Sequence, residues 1–286
     1  MKKIVVIGAT GMLGKPVTCE LIKAGFDVTI VARDNLKARR DFPRCRILTG
    51  DLKDVGSLET AFEGKDAVYL SLHVPQNAKP DDWHAEQEGL DNVLAAARNA
   101  GITCIGYLSS LVKNYQGMNG FNWWVFDVKR QAVEKLKTSG IPYVIFSPSN
   151  FMENFLNGFK MGKTLSTVGR SDVRKFWISG SDYGKQVAKA FEKFTESREY
   201  AIQGPAAYTD EEAVALFVRN YRKEKLKTGK VPIGMLKVMG VFSRKMKYGQ
   251  QIIEALNNYP ERFEAEVTWK ELGKPQITIE EYARAF

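Results

Sequence analysis

The strongest constraint on this chain lies between Ile4 and Gly14. Ile4-Val5-Val6-Ile7 is a short unbroken apolar run, and it ends in Gly8-Ala9-Thr10-Gly11-Met12-Leu13-Gly14. A run without polar alternation suits a strand buried on both faces, as in a parallel sheet. Past the turn, Leu13, Val17, Leu21 and Ile22 recur at helical spacing until Gly25 stops the helix. Strand, glycine turn and amphipathic helix in that order aim a helix N-terminus at a bend with few side chains in the way. Such a bend holds the pyrophosphate of a dinucleotide: one glycine makes the tight turn, another lets the phosphate approach, and a third lets the helix pack on the strand. The spacing here is G-x-x-G-x-x-G, and the contacts expected from it are Gly8, Thr10, Gly11, Met12, Leu13 and Gly14.

The alternation continues. Strands are expected at Val28 to Ala32, Arg46 to Thr49, Ala67 to Leu72, Cys104 to Leu108 and Tyr143 to Phe146. Helices are expected at Val55 to Phe62, about Ala85 to Asn99, and about Val125 to Thr138. Repeated βαβ units with right-handed crossovers give a Rossmann-type α/β fold, a doubly wound parallel sheet. After Pro148 the alternation breaks into shorter segments, with helical patterns near Tyr183 to Phe194, Asp210 to Lys225 and Ile252 to Asn257. The expected division is a nucleotide-binding domain over 1–150 and a smaller, mostly helical substrate lobe over 151–286, some of whose segments return to the sheet.

The end of the second strand selects the cofactor. A chain preferring NAD presents an acid there for the ribose 2′-hydroxyl, whereas Ala32-Arg33 offers a guanidinium suited to a 2′-phosphate. NADP(H) is therefore expected ahead of NAD(H), with Lys15, Lys37 and Arg39 as further sources of positive charge. A surface pair between Arg33 and Asp34 is the competing reading.

The formal charge of +9 is concentrated late in the chain: ten Lys and Arg residues from Arg219 to Lys247 face Glu224 alone. Between Met235 and Tyr248, Met235, Leu236, Val238, Met239, Val241, Phe242 and Met246 intersperse with Lys237, Arg244, Lys245 and Lys247. A lid over an apolar pocket is the first reading of this stretch, a solvated packing helix the second and attachment to an anionic membrane the third. No reading motif for nucleic acid accompanies the charge. Cys19, Cys45 and Cys104 lie far apart with no C-x-x-C pair, so neither a metal site nor a disulfide is expected. No apolar run reaches the length of a membrane span and the start does not read as a signal peptide, so the expectation is a cytoplasmic protein, monomeric or homodimeric, with a small-molecule substrate. A protein partner stays open.

With these residues in place the chain resembles the NmrA-like group of atypical short-chain dehydrogenases/reductases along nearly its whole length. The likeness rests on Val5-Val6-Ile7-Gly8-Ala9-Thr10-Gly11-Met12-Leu13-Gly14, Thr49-Gly50-Asp51-Leu52, Asn92 to Ala97 before Gly101, Pro148 to Phe155, and Ile277 to Tyr282. The resemblance implies adenine contacts from Asp51 and Leu52, and further cofactor contacts from Ser71, Leu72, His73, Pro148 and Asn150. It implies Ser109 near the nicotinamide, and Phe151 and Asn154 facing the substrate.

The wider group works with a Tyr-x-x-x-Lys pair on a helix, where the lysine lowers the pKa of the tyrosine. Here Lys129 takes the lysine position, and Val125 stands where the tyrosine would be. A sugar-nucleotide epimerase or dehydratase working through that tyrosine is the third-ranked reading. The first is an NADPH-dependent reductase of a small conjugated or quinone-like substrate, which takes hydride from the nicotinamide and its proton from water. The second is a regulatory protein that senses NADP(H) without turnover. Lys129 is expected to hold the ribose and stabilise developing negative charge. Tyr115, in the loop Asn114 to Trp124, is a substitute proton donor, and Trp123 a wall of the substrate pocket. His73 serves either as a donor near the cofactor or as a structural residue.

Overall fold

The computed structural model describes residues 1–286. Its first half runs β1 (Lys3–Ile7), α1 (Gly14–Lys23), β2 (Asp27–Ala32), α2 (Asn35–Asp41), β3 (Arg46–Thr49), α3 (Val55–Phe62), β4 (Ala67–Leu70), α4 (Glu88–Asn99), β5 (Cys104–Leu108), α5 (Trp124–Thr138) and β6 (Tyr143–Pro148). The second half runs β7 (Asn150–Phe151), α6 (Asn154–Asn157), β8 (Lys160–Met161), β9 (Thr164–Val168), β10 (Lys175–Ile178), α7 (Gly180–Glu192), β11 (Arg198–Ile202), β12 (Ala207–Tyr208), α8 (Asp210–Asn220), β13 (Lys227–Val231), α9 (Ile233–Phe242), α10 (Arg244–Asn258), α11 (Glu266–Leu272) and α12 (Ile279–Arg284).

Seven strands form one parallel sheet in the order β11-β6-β5-β4-β1-β2-β3. The two faces of β1 show why an unbroken apolar run was needed. Ile4 and Val6 enter one core with Val17 and Leu21 of α1 and Tyr183 and Phe191 of α7. Val5 and Ile7 enter the other with Leu58, Leu90, Leu94 and Leu136 from α3, α4 and α5. Successive side chains point to opposite faces, so each strand feeds both layers. This is the doubly wound α/β architecture, and its strand order reverses between β1 and β4, which opens a crevice at the carboxyl edge of the sheet.

The second half does more than form a lobe. It returns β11 to the central sheet beside β6 and lays α7 across α1. The remainder builds two small three-stranded sheets with helices around them. One core of this region stacks Phe155 on Trp177 and Phe217, each with ring centroids 4.6 Å apart. Another packs the 112–126 segment against α10, joining Tyr115, Phe121, Trp123, Phe126 and Tyr259 with Val74 from the loop leaving β4. No helix is long and apolar enough to cross a membrane.

Candidate functional site

The glycine turn is built as the spacing requires. Gly8 has φ +86°, and a Cβ on it would lie 2.3 Å from the carbonyl oxygen of Ser71. A side chain is barred there by both backbone conformation and contact. A Cβ on Gly14 would lie 2.0 Å from the carbonyl oxygen of Gly8, so α1 can start this close to β1 only with glycine at its head. Gly11 is different: it is exposed, and its added Cβ would meet nothing nearer than Gly8 O at 3.2 Å. Gly8 and Gly14 close the turn, and Gly11 leaves its outer face bare. No side chain caps α1 and no acid stands in its first turn, so the amides at its head face outward with the positive end of the helix dipole.

At the end of β2, Arg33 is exposed and makes neither an ion pair nor a hydrogen bond. The competing pairing with Asp34 does not form, because the Asp34 carboxylate caps α2, accepting from the amides of Leu36 and Lys37. Lys15 is engaged by Asp41 at 3.1 Å, whereas Arg33, Lys37 and Arg39 are exposed and unpaired. Beyond β3, Asp51 accepts from the amide of Lys53, and the Leu52 carbonyl accepts from Asn92 at 2.7 Å. Ser71 is brought beside the turn by its amide bond to Ile7 O at 3.0 Å. Leu72 is buried and His73 exposed.

Further along the carboxyl edge, two buried polar groups lack partners. Ser109 follows β5, is 3% exposed, and its Oγ bonds to nothing; Asn150, after β6 and Pro148, is 4% exposed with a free Nδ2. Asn154 spends its amide on Asn150 Oδ1 at 3.1 Å. Buried polar atoms are nearly always satisfied, so these two vacancies on the strand ends fit a ligand that brings its own hydrogen-bonding groups. Together with the bare turn and Arg33, these are the groups that could hold a dinucleotide.

Lys129 lies in an arrangement that the spacing did not foretell. Its Nζ is 2.6 Å from Glu86 Oε1, which also accepts from the hydroxyl of Tyr107 at 2.6 Å. Glu86 is fully buried, and the lysine side chain keeps 17% exposure. Burial, reinforced by the adjacent carboxylate, holds the Tyr107 phenol well above its usual range, so it stays protonated. Glu86 and Tyr107 were missed because one is 43 residues from Lys129 in sequence and the other sits inside a strand; the only signal was a tyrosine in the otherwise apolar Cys104 to Leu108. Lys113 was missed as well. It is mostly buried without a carboxylate, donating to Ser110 O at 3.1 Å and Ser147 Oγ at 3.4 Å, and burial pulls its ammonium down to about 8.

The other expected residues are core. Val125, at the tyrosine position, is 3% exposed. Tyr115 is equally buried, with its ring 5.0 Å from that of Phe121 and its hydroxyl 3.4 Å from Asn119 Nδ2. Trp123 packs edge-on to Tyr248 of α10 at 4.9 Å, and Phe151 packs on Tyr183 at 5.4 Å. The aromatic loop is therefore a packed cluster beneath α10, not an open flap.

A (4-alkanoyl-5-oxo-2,5-dihydrofuran-3-yl)methyl phosphate reductase of Streptomyces griseus is 29% identical over 220 residues, spanning 76% of this chain and 73% of that one. An NADPH-dependent quinone oxidoreductase of Escherichia coli, solved with NADPH, superposes with TM-score 0.75 at 19% identity over 98% of both chains. The triphenylmethane reductase of Citrobacter sp., solved with NADP(H), gives TM-score 0.75 at 18% identity over 99% of this chain and 100% of its own. The two superpositions show a shared fold. The model of the NmrA-like family matches residues 1–283, and the chain belongs to that family.

Proposed function

We propose that the protein is an NADPH-dependent reductase of a small conjugated or quinone-like substrate. The observation that carries the reading is the unengaged Arg33 beside a glycine turn whose outer face is bare. The turn accepts a pyrophosphate on backbone amides, and the guanidinium supplies the planar donor set that a 2′-phosphate requires. The names of the Escherichia coli and Citrobacter sp. proteins support the same cofactor, and that of the Streptomyces griseus relative supports a reductase.

Bound NADPH supplies a hydride. The chain's part is to orient it. Ser109 Oγ and Asn150 Nδ2, both buried and unpartnered, fix the nicotinamide end. Lys129 offers its exposed edge to the ribose while Glu86 holds its charge in place. Neither Tyr107, sealed against Glu86, nor Tyr115, in the aromatic cluster, is poised as a donor. An acceptor whose reduced anion is stabilised by conjugation needs none, because water delivers the proton. A sugar carbonyl without such stabilisation does need one, which argues against epimerase chemistry.

The test is purified protein mixed with NADPH and a panel of quinones and α,β-unsaturated carbonyl compounds, followed by loss of reduced-nicotinamide absorbance. Acceptor-dependent oxidation is expected. Tight NADPH binding with no turnover on any acceptor would refute the reductase and leave a cofactor-sensing regulator.

A further inference from the structure

The basic, apolar stretch noted in the sequence resolves into two helices. Ser243 ends α9 and begins α10, its Oγ accepting from the amide of Met246. Between this pair and the loop leaving β4 lies an open cavity of about 860 Å³. Asn77 lines it from the loop, and Lys237, Arg244, Lys245 and Lys247 line it from the helices. No carboxylate does, and none of these four cations is in an ion pair.

Simple solvation is a poor account of this placement. Arg244, Lys245 and Lys247 occupy the first turn of α10, where the helix dipole is positive and acids are the stabilising residues; that turn has none. Four like charges around one cavity raise the energy of the ligand-free protein and focus a positive potential into the space between them. A bound anion offsets both. At the rim, Val241 is 79% and Phe242 86% exposed, an apolar surface directly beside the charge.

We propose that this cavity binds the anionic group of the substrate, a phosphate monoester or an acid of similar charge, with Val241 and Phe242 covering an attached apolar portion. The location agrees. Asn77 lies in the same loop as Ser71, and Tyr248, next to Lys247, packs on Trp123, so the cavity opens beside the carboxyl edge of the sheet. That the bound anion is a substrate rests on the reductase reading; that the cavity binds an anion does not.

Hexyl phosphate titrated calorimetrically into the full chain saturated with NADP⁺ tests the proposal, with hexanol as the uncharged control. Saturable binding is expected for the phosphate only, weakened about tenfold or more by Lys245→Ala/Lys247→Ala and by raised salt. Both lysines are exposed and unpaired, so the variant should keep its melting temperature and its affinity for NADPH. Absence of hexyl phosphate binding, or equal binding by the variant, overturns the site. So does sedimentation with phosphatidylglycerol but not phosphatidylcholine vesicles in the absence of saturable hexyl phosphate binding, which would make the patch a membrane contact. Failure of the cofactor to bind the parent protein would sink the reductase reading, and the comparison of parent with Lys245→Ala/Lys247→Ala, made then without cofactor, would still decide the anion site.

Discussion

Gly11→Ala and Gly14→Ala change the same atoms three residues apart, and the structure assigns them opposite consequences. At Gly14 the new methyl would sit 2.0 Å from Gly8 O and 2.8 Å from Gly8 C, both backbone atoms that no rotamer change can move aside. The head of α1 has to lift from the turn, an overpacking cost of about 3 kcal/mol or more. For a chain of this size that lowers the melting temperature by roughly 6–12 °C. At Gly11 the only near atom is Gly8 O at 3.2 Å, a gap that closes with a shift of a few tenths of an ångström. Alanine also restricts the unfolded chain, a gain of about 0.4–1 kcal/mol that offsets the contact. Gly11→Ala should therefore melt within about 2 °C of the parent. Its methyl nevertheless occupies the bare face where the pyrophosphate approaches. Losing one charge-assisted amide bond to phosphate costs about 1.5–3 kcal/mol, weakening NADPH about tenfold to a hundredfold. Scanning calorimetry and titration calorimetry on both variants separate the two effects. Parental NADPH affinity in Gly11→Ala would refute the assignment of the turn, and parental stability in Gly14→Ala would refute the packing argument.

Glu86→Gln leaves Lys129 without its carboxylate in a mostly buried setting, and an unfolding free energy lower by roughly 2–4 kcal/mol is expected in urea. Adding Lys129→Met should recover part of that loss, and strict additivity in the double-mutant cycle would show that the two do not interact. Lys113→Met tests the buried ammonium. Below about 8 the folded protein must charge Lys113 inside the fold; from there up to the ordinary value of 10.5 only the unfolded chain holds that proton, so stability rises with pH. The variant lacks this rise, and its stability relative to the parent should fall by about 1–3 kcal/mol between about pH 7 and about pH 10. A difference independent of pH would contradict the placement of that lysine.

Much of the frame was legible because both faces of the central sheet are covered. Strands with no solvent face announce themselves as unbroken apolar runs, as Cys104–Leu108 does, and the limits of that strand, of the edge strand Arg46–Thr49 and of the helix Val55–Phe62 are those read from sequence. β11 escaped notice because it is an edge strand past Pro148, where the strand and helix alternation breaks down: Arg198 and Glu199 are exposed, and only Tyr200 and Ile202 are buried. The helix expected from Ala85 starts at Glu88, since His84 to Gln87 form a turn that aims Glu86 inward at Lys129. Val125 was the legible sign of unusual chemistry. The Glu86–Tyr107–Lys129 cluster was not legible, because it is made by three elements meeting in space and none of its members has a distinctive neighbour in sequence. The split of the basic stretch at Ser243 had a visible cause, a capping serine ahead of a helical turn, obscured by the continuity of apolar and basic residues on both sides.

The claim at the centre of this account is that a dinucleotide binds on the glycine turn with its 2′-phosphate on Arg33. Calorimetric titration of NADPH and NADH into the native protein and into Arg33→Asp tests it. The native chain should prefer NADPH by about tenfold or more, and the substitution should abolish or reverse that preference without a change in melting temperature, because Arg33 is exposed and unpaired. Native preference for NADH, or a preference that survives Arg33→Asp, would contradict it.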